Sequence, residues 1–152
     1  MIELKIGDKA PDFSLLNQDG VQISLKDFLG KKIILYFYPR DNTPGCTTQA
    51  CEFSDLIKEF NDKNAIIIGI SPDDVKSHEN FVKKFNLQHI LLCDIKKELC
   101  KLYGAWGIKK NYGKEYEGLI RSTFVIDENG NIIKIYKNVK AKSHAIKVLG
   151  DI

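Results

Sequence analysis

The chain has 152 residues, of which 43% are hydrophobic and 28% charged, and its formal net charge at pH 7 is +3. This length fits one domain, spanning residues 1–152, and the small net charge gives no support for nucleic-acid binding. No apolar stretch approaches the ~20 residues that cross a bilayer, so we expect no contact with a membrane. The amino terminus lacks the apolar core of a signal peptide, and four cysteines are too few for a disulfide framework. We therefore expect a cytoplasmic protein whose thiols are mostly reduced.

Strand-like and helix-like segments alternate along most of the chain, which predicts an α/β fold with a mixed sheet and helices on both faces. Apolar runs without alternation predict central strands that are covered on both sides. In order, we predict a β-hairpin (13–16 and 21–25), a helical turn (25–29), a strand (33–38), a helix from residue 46, a strand (65–71), a helix (75–85), a strand (90–93), a helix (96–103), a surface loop (107–119), a hairpin (123–127 and 132–136) and a helix (143–149) capped by Ser143.

A cysteine at the start of a helix is the strongest candidate for chemistry. Thr43 and Pro44 are typical of an N-cap and a first helical residue, which puts Cys46 in the first turn. Apolar residues recur from Cys46 to Phe60 at the spacing of one helix face, so the sulfur should point inward. The helix dipole and the unpaired N–H groups there favour the nucleophilic thiolate. The alternative is a small buried hydrophobic residue, which is the usual role of a free cysteine.

A second cysteine, Cys51, follows Cys46 after five residues. In an intact α-helix this spacing separates the two Cα atoms by roughly 8 to 9 Å. A disulfide needs Cα atoms less than about 7 Å apart. The two sulfurs can therefore join only if the first turns of the helix unwind, which predicts a two-state site.

Several motifs of the chain resemble those of the peroxiredoxins. The pattern P-x-x-x-T-x-x-C at residues 39–46 resembles their active-site motif, and T-P-G-C-T-x-Q-A-C at 43–51 resembles the signature of the Q-type subfamily, the bacterioferritin comigratory proteins. The segments A-P-D-F-S-L (10–15), Y-G-x-W-G (103–107) and R-S-T-F-V-I-D (121–127) match in the same order. The resemblance covers nearly the whole chain. It implies a thioredoxin-like fold, with a central mixed β-sheet flanked by helices.

The resemblance also implies a thiol-dependent peroxidase that reduces hydrogen peroxide and organic hydroperoxides. In it, Cys46 is the peroxidatic cysteine and Cys51 the resolving cysteine, which closes an intramolecular disulfide. Thr43 would hydrogen-bond the thiolate or the peroxide, Pro39 would shield the site, and Arg121 would stabilise the thiolate and the leaving oxygen. No metal or organic cofactor is implied, because sulfur supplies the redox chemistry. Thioredoxin or a similar dithiol would reduce the disulfide, and we expect a monomer.

Two other functions stay open. A thiol–disulfide oxidoreductase on the same fold would normally use a C-x-x-C motif, which the chain lacks. A non-enzymatic protein could instead bind metal or sense redox state through its four cysteines. Cys93 and Cys100 have no standard zinc-ligand spacing, and we predict ordinary packing for both. We predict that His78, His89 and His144 are surface or capping residues, because each lies in a polar context.

Overall fold

The computed structural model describes residues 3–152, so the first two residues of the predicted domain lie outside the described residues. The strands are β1 (Ser14–Leu16), β2 (Gln22–Ser24), β3 (Lys32–Phe37), β4 (Ala65–Ser71), β5 (Ile90–Cys93), β6 (Trp106–Asn111), β7 (Lys114–Leu119), β8 (Ser122–Ile126) and β9 (Ile132–Tyr136). The helices are α1 (Pro44–Asp55), α2 (Ile57–Asp62), α3 (Val75–Phe85), α4 (Glu98–Leu102) and α5 (His144–Asp151), with a 3-10 turn at Leu25–Phe28.

A five-stranded mixed sheet in the order β5-β4-β3-β8-β9 forms the centre of the protein. The strands β3, β4 and β5 pair in parallel, whereas β8 pairs antiparallel with both β3 and β9. Alternate residues of β3 point to opposite faces, so Leu35 and Phe37 join one apolar cluster while Ile34 and Tyr36 join the other. Burial on both faces explains why β3 is apolar almost throughout.

Helices cover both faces of this sheet. Residues of α1, α2, α3 and α5 pack in the cluster that contains Tyr36, and residues of α4 pack in the opposite cluster. At the amino-terminal side, β1 and β2 form a separate antiparallel hairpin. The predicted fold class is therefore confirmed: a mixed α/β thioredoxin-like fold with an N-terminal β-hairpin. No helix within residues 3–152 is long and apolar enough to cross a membrane.

The prediction of a surface loop at residues 107–119 was wrong. This segment lies within the antiparallel hairpin of β6 and β7, in which Asn111 pairs with Lys114. Tyr112 and Gly113 form the turn, and both have positive φ angles of 52° and 77°. This backbone suits the tight turn of a hairpin. The sequence did not predict this hairpin because Tyr, rather than Asn or Asp, precedes the glycine of the turn.

The prediction that three histidines are surface or capping residues was also wrong. His78, His89 and His144 are only 0%, 4% and 6% exposed. Each has a hydrogen-bond partner far away in the chain: His78 contacts Asp41, and the other two contact the hydroxyls of Tyr36 and Thr123. A polar side chain can be buried when its hydrogen bonds are satisfied, and a local sequence window does not reveal such partners.

Two local details of the helices differ from the sequence-based expectation. The apolar face that was predicted to run from Cys46 to Phe60 is divided between α1 and α2, which are separated at Leu56. Ser143 does precede α5, but its φ is +66° and its side chain makes no capping hydrogen bond. Instead, its backbone N–H donates to Oε1 of Glu52 on α1, at 2.7 Å. A carboxylate of α1 therefore caps α5.

Candidate active site

The pairing of β3 with β8 brings two distant segments to the same edge of the sheet. The end of β3 continues through Pro39 into α1, which carries Cys46 and begins at Pro44. Because β8 is antiparallel to β3, Phe37 pairs with Ser122, the first residue of β8. Arg121, immediately before β8, therefore lies beside the start of α1, although it is 75 residues from Cys46 in the chain.

The start of α1 has the predicted residues but not the expected capping bond. Thr43 occupies the N-cap position with an extended backbone, and Pro44 is the first helical residue. The Thr43 hydroxyl donates to the Arg40 carbonyl at 2.9 Å, and no side-chain capping hydrogen bond is present at this described helix start. The first N–H groups of α1 are thus left without the acceptor that an N-cap side chain usually supplies.

The sulfur of Cys46 lies between the apolar core and a positive charge. Cys46 is 1% exposed and packs in the cluster that includes Tyr36, Ala50 and Phe53. Nη2 of Arg121 donates to Sγ of Cys46 at 3.2 Å. The guanidinium is always charged at physiological pH, so it stabilises a thiolate at this position.

Gln49 orients the same arginine, although no role was predicted for it from the sequence. Its Oε1 accepts a hydrogen bond of 2.5 Å from Nη1 of Arg121, and its side chain is fully buried. The Gln of the T-x-Q-A-C motif was the signal that could have identified it. Gly45 leaves room for the guanidinium, since a Cβ at this position would be 3.2 Å from Nη2.

Neutral side chains lie on the inner side of the cysteine. Tyr36 stacks on Phe53 with 4.7 Å between ring centroids, and its hydroxyl is 2.7 Å from Nε2 of His89. Burial, together with the charges of Cys46 and Asp41, raises the pKa of Tyr36 well above its usual value, and burial lowers the pKa of His89 to about 3. Both are uncharged at neutral pH, so this pair adds no charge that would offset Arg121.

The other predicted site residues lie on the same elements. Pro39 is half-buried directly after Tyr38, and Cys51 is half-buried on α1, in the same intact helix as Cys46. Both thiols are free. Burial and the neighbouring charge of Asp55 raise the pKa of Cys51. Cys51 therefore lacks the positive partner that Cys46 has.

The remaining cysteines are buried free thiols, and Cys93 lies at the end of β5 and Cys100 on α4. Within residues 3–152, no group of cysteines has the spacing of a metal site; the cluster with suitable spacing consists of Asp41, Asp73 and His78. These positions do not bring the four cysteines together, as the metal-binding alternative would need.

A buried thiol at a helix start, next to a guanidinium, is typical of enzymes that use sulfur as a nucleophile. The model of the AhpC/TSA family matches residues 6–135. The chain is 56% identical to "Putative peroxiredoxin bcp" of Helicobacter pylori over 149 residues, 98% of each chain. Among solved structures, it is similar to a Xylella fastidiosa PrxQ mutant, with a TM-score of 0.93, 34% identity and coverage of 99% of this chain and 96% of the other.

A second solved structure is the bacterioferritin comigratory protein of Xanthomonas campestris, which has a TM-score of 0.87 and 37% identity, with coverage of 91% of this chain and 88% of the other. The activity reported for that protein is alkyl peroxide reduction. The chain therefore belongs to the AhpC/TSA family, and within it to the Q-type peroxiredoxins, also called Bcp. It is a thiol peroxidase, an enzyme that uses a peroxide substrate and a thiol reductant.

Proposed function

We propose that Cys46 reduces hydrogen peroxide and organic hydroperoxides by direct attack, and that Cys51 then closes a disulfide that thioredoxin or a similar dithiol reduces. The observation that carries this proposal is the 3.2 Å contact between Nη2 of Arg121 and Sγ of Cys46 at the start of α1. The alkyl peroxide reduction described for the Xanthomonas campestris relative supports organic hydroperoxides as substrates.

In the first step, the Cys46 thiolate attacks one oxygen of the peroxide and forms an S–O bond while the O–O bond breaks. The attacked oxygen becomes part of a sulfenic acid, and the departing oxygen takes up a proton and leaves as water or an alcohol. Arg121 stabilises the negative charge of the departing oxygen, as do the N–H groups at the start of α1. Thr43 hydrogen-bonds the peroxide, which requires its hydroxyl to turn away from Arg40, and Pro39 limits the access of water.

In the second step, the sulfur of Cys51 attacks the sulfenic sulfur, so that a disulfide forms and water is released. Both cysteines belong to the intact α1, in which their Cα atoms are roughly 8 to 9 Å apart. The start of α1 therefore unwinds before the sulfurs join. A reduced dithiol then restores both thiols by disulfide exchange and becomes oxidised itself.

The domain organisation, the oligomeric state and the cellular location are also part of the proposal. We infer a single domain over residues 1–152, which acts as a monomer in the cytoplasm. Similarity along 98% of both chains to the Helicobacter pylori relative supports a single unit. Among the described residues, a long apolar helix that could anchor the protein in a membrane is absent.

The direct test adds one equivalent of hydrogen peroxide to the fully reduced protein and maps the disulfides by mass spectrometry of proteolytic fragments. We expect a Cys46–Cys51 linkage within seconds, and in Cys51→Ser a sulfenic acid on Cys46 that a dimedone probe traps. An unmodified Cys46 would refute the peroxidatic role. A sulfenic acid that persists on Cys46 of the unaltered protein would instead refute resolution by Cys51.

A further inference from the structure

A buried ion pair lies directly before α1, and neither of its side chains takes part in the proposed reaction of Cys46. Asp41 belongs to the loop between β3 and α1 and is 8% exposed, while His78 on α3 is fully buried. Oδ2 of Asp41 and Nδ1 of His78 are 2.6 Å apart. A buried carboxylate is costly unless it is paired and hydrogen-bonded, so this arrangement calls for a structural or functional reason.

Further hydrogen bonds fix the Asp41 carboxylate. The hydroxyl of Tyr38 donates to Oδ1 at 2.6 Å, and the hydroxyl of Ser77 donates to Oδ2 at 2.8 Å. The backbone N–H of Asp41 donates to Oδ2 of Asp73 at 2.7 Å. The loop is thus held at both its backbone and its side chain by residues that follow β4 and begin α3.

The second ring nitrogen of His78 extends this network to β5. Nε2 lies 2.9 Å from the carbonyl oxygen of Leu92, so both ring nitrogens face acceptors and both carry protons. Burial on its own would lower the pKa of His78, but hydrogen bonds with Asp41 and Cys93, the charge of Asp41 and the Leu92 carbonyl raise it to about 10. The pair is therefore ionic at neutral pH.

The hydrogen-bond network of Asp41 lies directly before the start of α1, which carries Cys46. Asn42, the residue after Asp41, has a φ of +61°, and Thr43 then occupies the N-cap position of α1. Unwinding of α1 during disulfide formation displaces Cys46, and the site must be rebuilt once the disulfide is reduced. A fixed point immediately before the unwinding segment lets the helix re-form in the same register and returns the sulfur to Arg121.

We propose that Asp41 and His78 are positioning residues, whose buried ion pair anchors the loop at residues 39–43 to α3 and β5 and so holds Cys46 against Arg121. This inference rests on the proposed role of Cys46 as the peroxidatic thiol. Asp41 and His78 do not contact the reacting sulfur; they act through the loop.

A metal site is the rival explanation of the same cluster. Asp41, Asp73 and His78 each offer a ligand atom within 4.8 Å of the others. However, Nδ1 of a doubly protonated imidazole has no free lone pair for a metal, and the Asp41 oxygens already accept hydrogen bonds from the Tyr38 and Ser77 hydroxyls. The internal hydrogen bonds account for the cluster without an ion.

The test compares His78→Ala, His78→Asn and Asp41→Asn with the unaltered protein. Asn at position 78 can keep a donor near Nδ1 but loses the charge, so its defect should be smaller than that of Ala. We expect the second-order rate of Cys46 oxidation by hydrogen peroxide to fall about tenfold or more in His78→Ala, because a misplacement of ~1 Å can reduce a rate ~100-fold. Amide hydrogen exchange at residues 42–50 should become faster.

The matched control is Tyr103→Phe, which removes a hydrogen bond of 2.6 Å from a buried tyrosine to the Pro11 carbonyl, in the opposite apolar cluster. It should lose stability but keep its oxidation rate and its exchange at residues 42–50. If His78→Ala fails to fold, Asp41→Asn carries the same comparison. Rates within twofold of the unaltered protein in the His78 and Asp41 variants would overturn the inference, provided that Cys46 of the unaltered protein is oxidised. A failure of that oxidation would refute the proposed function instead.

Discussion

Two cysteines of this chain occupy the same position in a helix, yet they face opposite charges. Cys46 is the third residue of α1 and Cys100 is the third residue of α4, and both are buried. A rule based on helix dipoles alone would make both sulfurs reactive. The charged side chains around the two sulfurs, however, have opposite signs.

At the start of α4, the carboxylate of Asp94 already occupies the place where an anion would bind the free backbone N–H groups. Asp94 accepts hydrogen bonds from the backbone N–H groups of Leu99 and Cys100, at 3.1 and 2.8 Å. The Cys100 thiol donates to the Lys97 carbonyl at 3.2 Å. Burial and the charge of Asp94 raise the pKa of Cys100 to about 12, so this sulfur stays protonated at neutral pH.

At the start of α1, the corresponding position has no capping side chain, and the neighbouring charge is positive. The Thr43 hydroxyl donates to the Arg40 carbonyl, while the guanidinium of Arg121 contacts the sulfur of Cys46. We therefore propose that a helix start activates a cysteine when its N–H groups are free and a cation faces the sulfur, and that it does not when a carboxylate accepts from those N–H groups.

The largest effect should come from removing the Cys46 sulfur, and removal of the Cys100 sulfur is its matched comparison. We expect Cys46→Ser to reduce peroxide consumption to the background rate, because the Cys46 thiolate is the proposed nucleophile. Cys100→Ser should retain the full rate, since its sulfur is a packed thiol. Steady-state peroxide consumption with a dithiol reductant measures both variants. Substantial activity in Cys46→Ser, or its loss in well-folded Cys100→Ser, would break the comparison.

Removing the cation should make Cys46 resemble Cys100. We expect Arg121→Ala to slow the oxidation of Cys46 by roughly 100- to 1,000-fold, the usual cost of losing one donor to a developing negative charge. Stopped-flow kinetics measures the rate, and an unchanged rate in a folded Arg121→Ala protein would contradict the role of the guanidinium.

The converse change should make Cys100 more acidic. Asp94→Asn removes the carboxylate but keeps an oxygen that can accept from the helix N–H groups. We expect the pKa of Cys100 to fall from about 12 by roughly one pH unit or more, as loss of a like charge nearby would allow. Absorbance at 240 nm in a protein with Cys100 as its sole cysteine measures this change, and an unchanged titration would remove Asp94 from the explanation.

The pH dependence of stability provides a smaller test of the same principle, namely that neighbouring groups set the charge of a buried side chain. Hydrogen bonding to Asp41, opposed by burial, raises the pKa of His78 to about 10, whereas burial and the charges of Arg121 and Lys147 lower that of His144 to about 4. The contribution of His78 to the free energy of unfolding is full below about 6.5, its ordinary pKa, and is lost as the pH rises to about 10. That of His144 is full above about 6.5 and is lost as the pH falls to about 4.

Urea unfolding between pH 4 and pH 10 measures these contributions. Each histidine should change the free energy of unfolding by on the order of 1 kcal/mol per pH unit within its window. The alkaline decrease should be reduced in His78→Asn, and the acid decrease in His144→Asn. Parallel stability curves for His78→Asn and the unaltered protein would exclude an ionic role for His78.

Local sequence signals predicted the start of α1, but not the residues that surround it. A threonine, a proline and an apolar helix face are adjacent in the chain, so Cys46 could be assigned to the first turn of α1. The contact with Arg121 depends on the antiparallel pairing of β3 with β8, which joins residues 75 positions apart. Only the family resemblance indicated it.

The burial of the three histidines was not predicted from the sequence for the same reason. Asp41 lies 37 positions from His78 and Thr123 lies 21 positions from His144, so no local window contains both partners. The burial of such side chains is decided by hydrogen bonds that exist only in the folded chain. The hairpin of β6 and β7 was missed because its turn has an unusual first residue, Tyr112.

The most direct test of the central claim measures the two sulfurs separately. One protein retains Cys46 as its sole cysteine and a second retains Cys100, with serine at the other three positions, and the rate of sulfur oxidation by hydrogen peroxide is measured for each at pH 7. We predict that Cys46 is oxidised rapidly, while Cys100 remains a reduced thiol. Equal oxidation rates for the two sulfurs would contradict the claim that the neighbouring charge, rather than the helix start, activates Cys46.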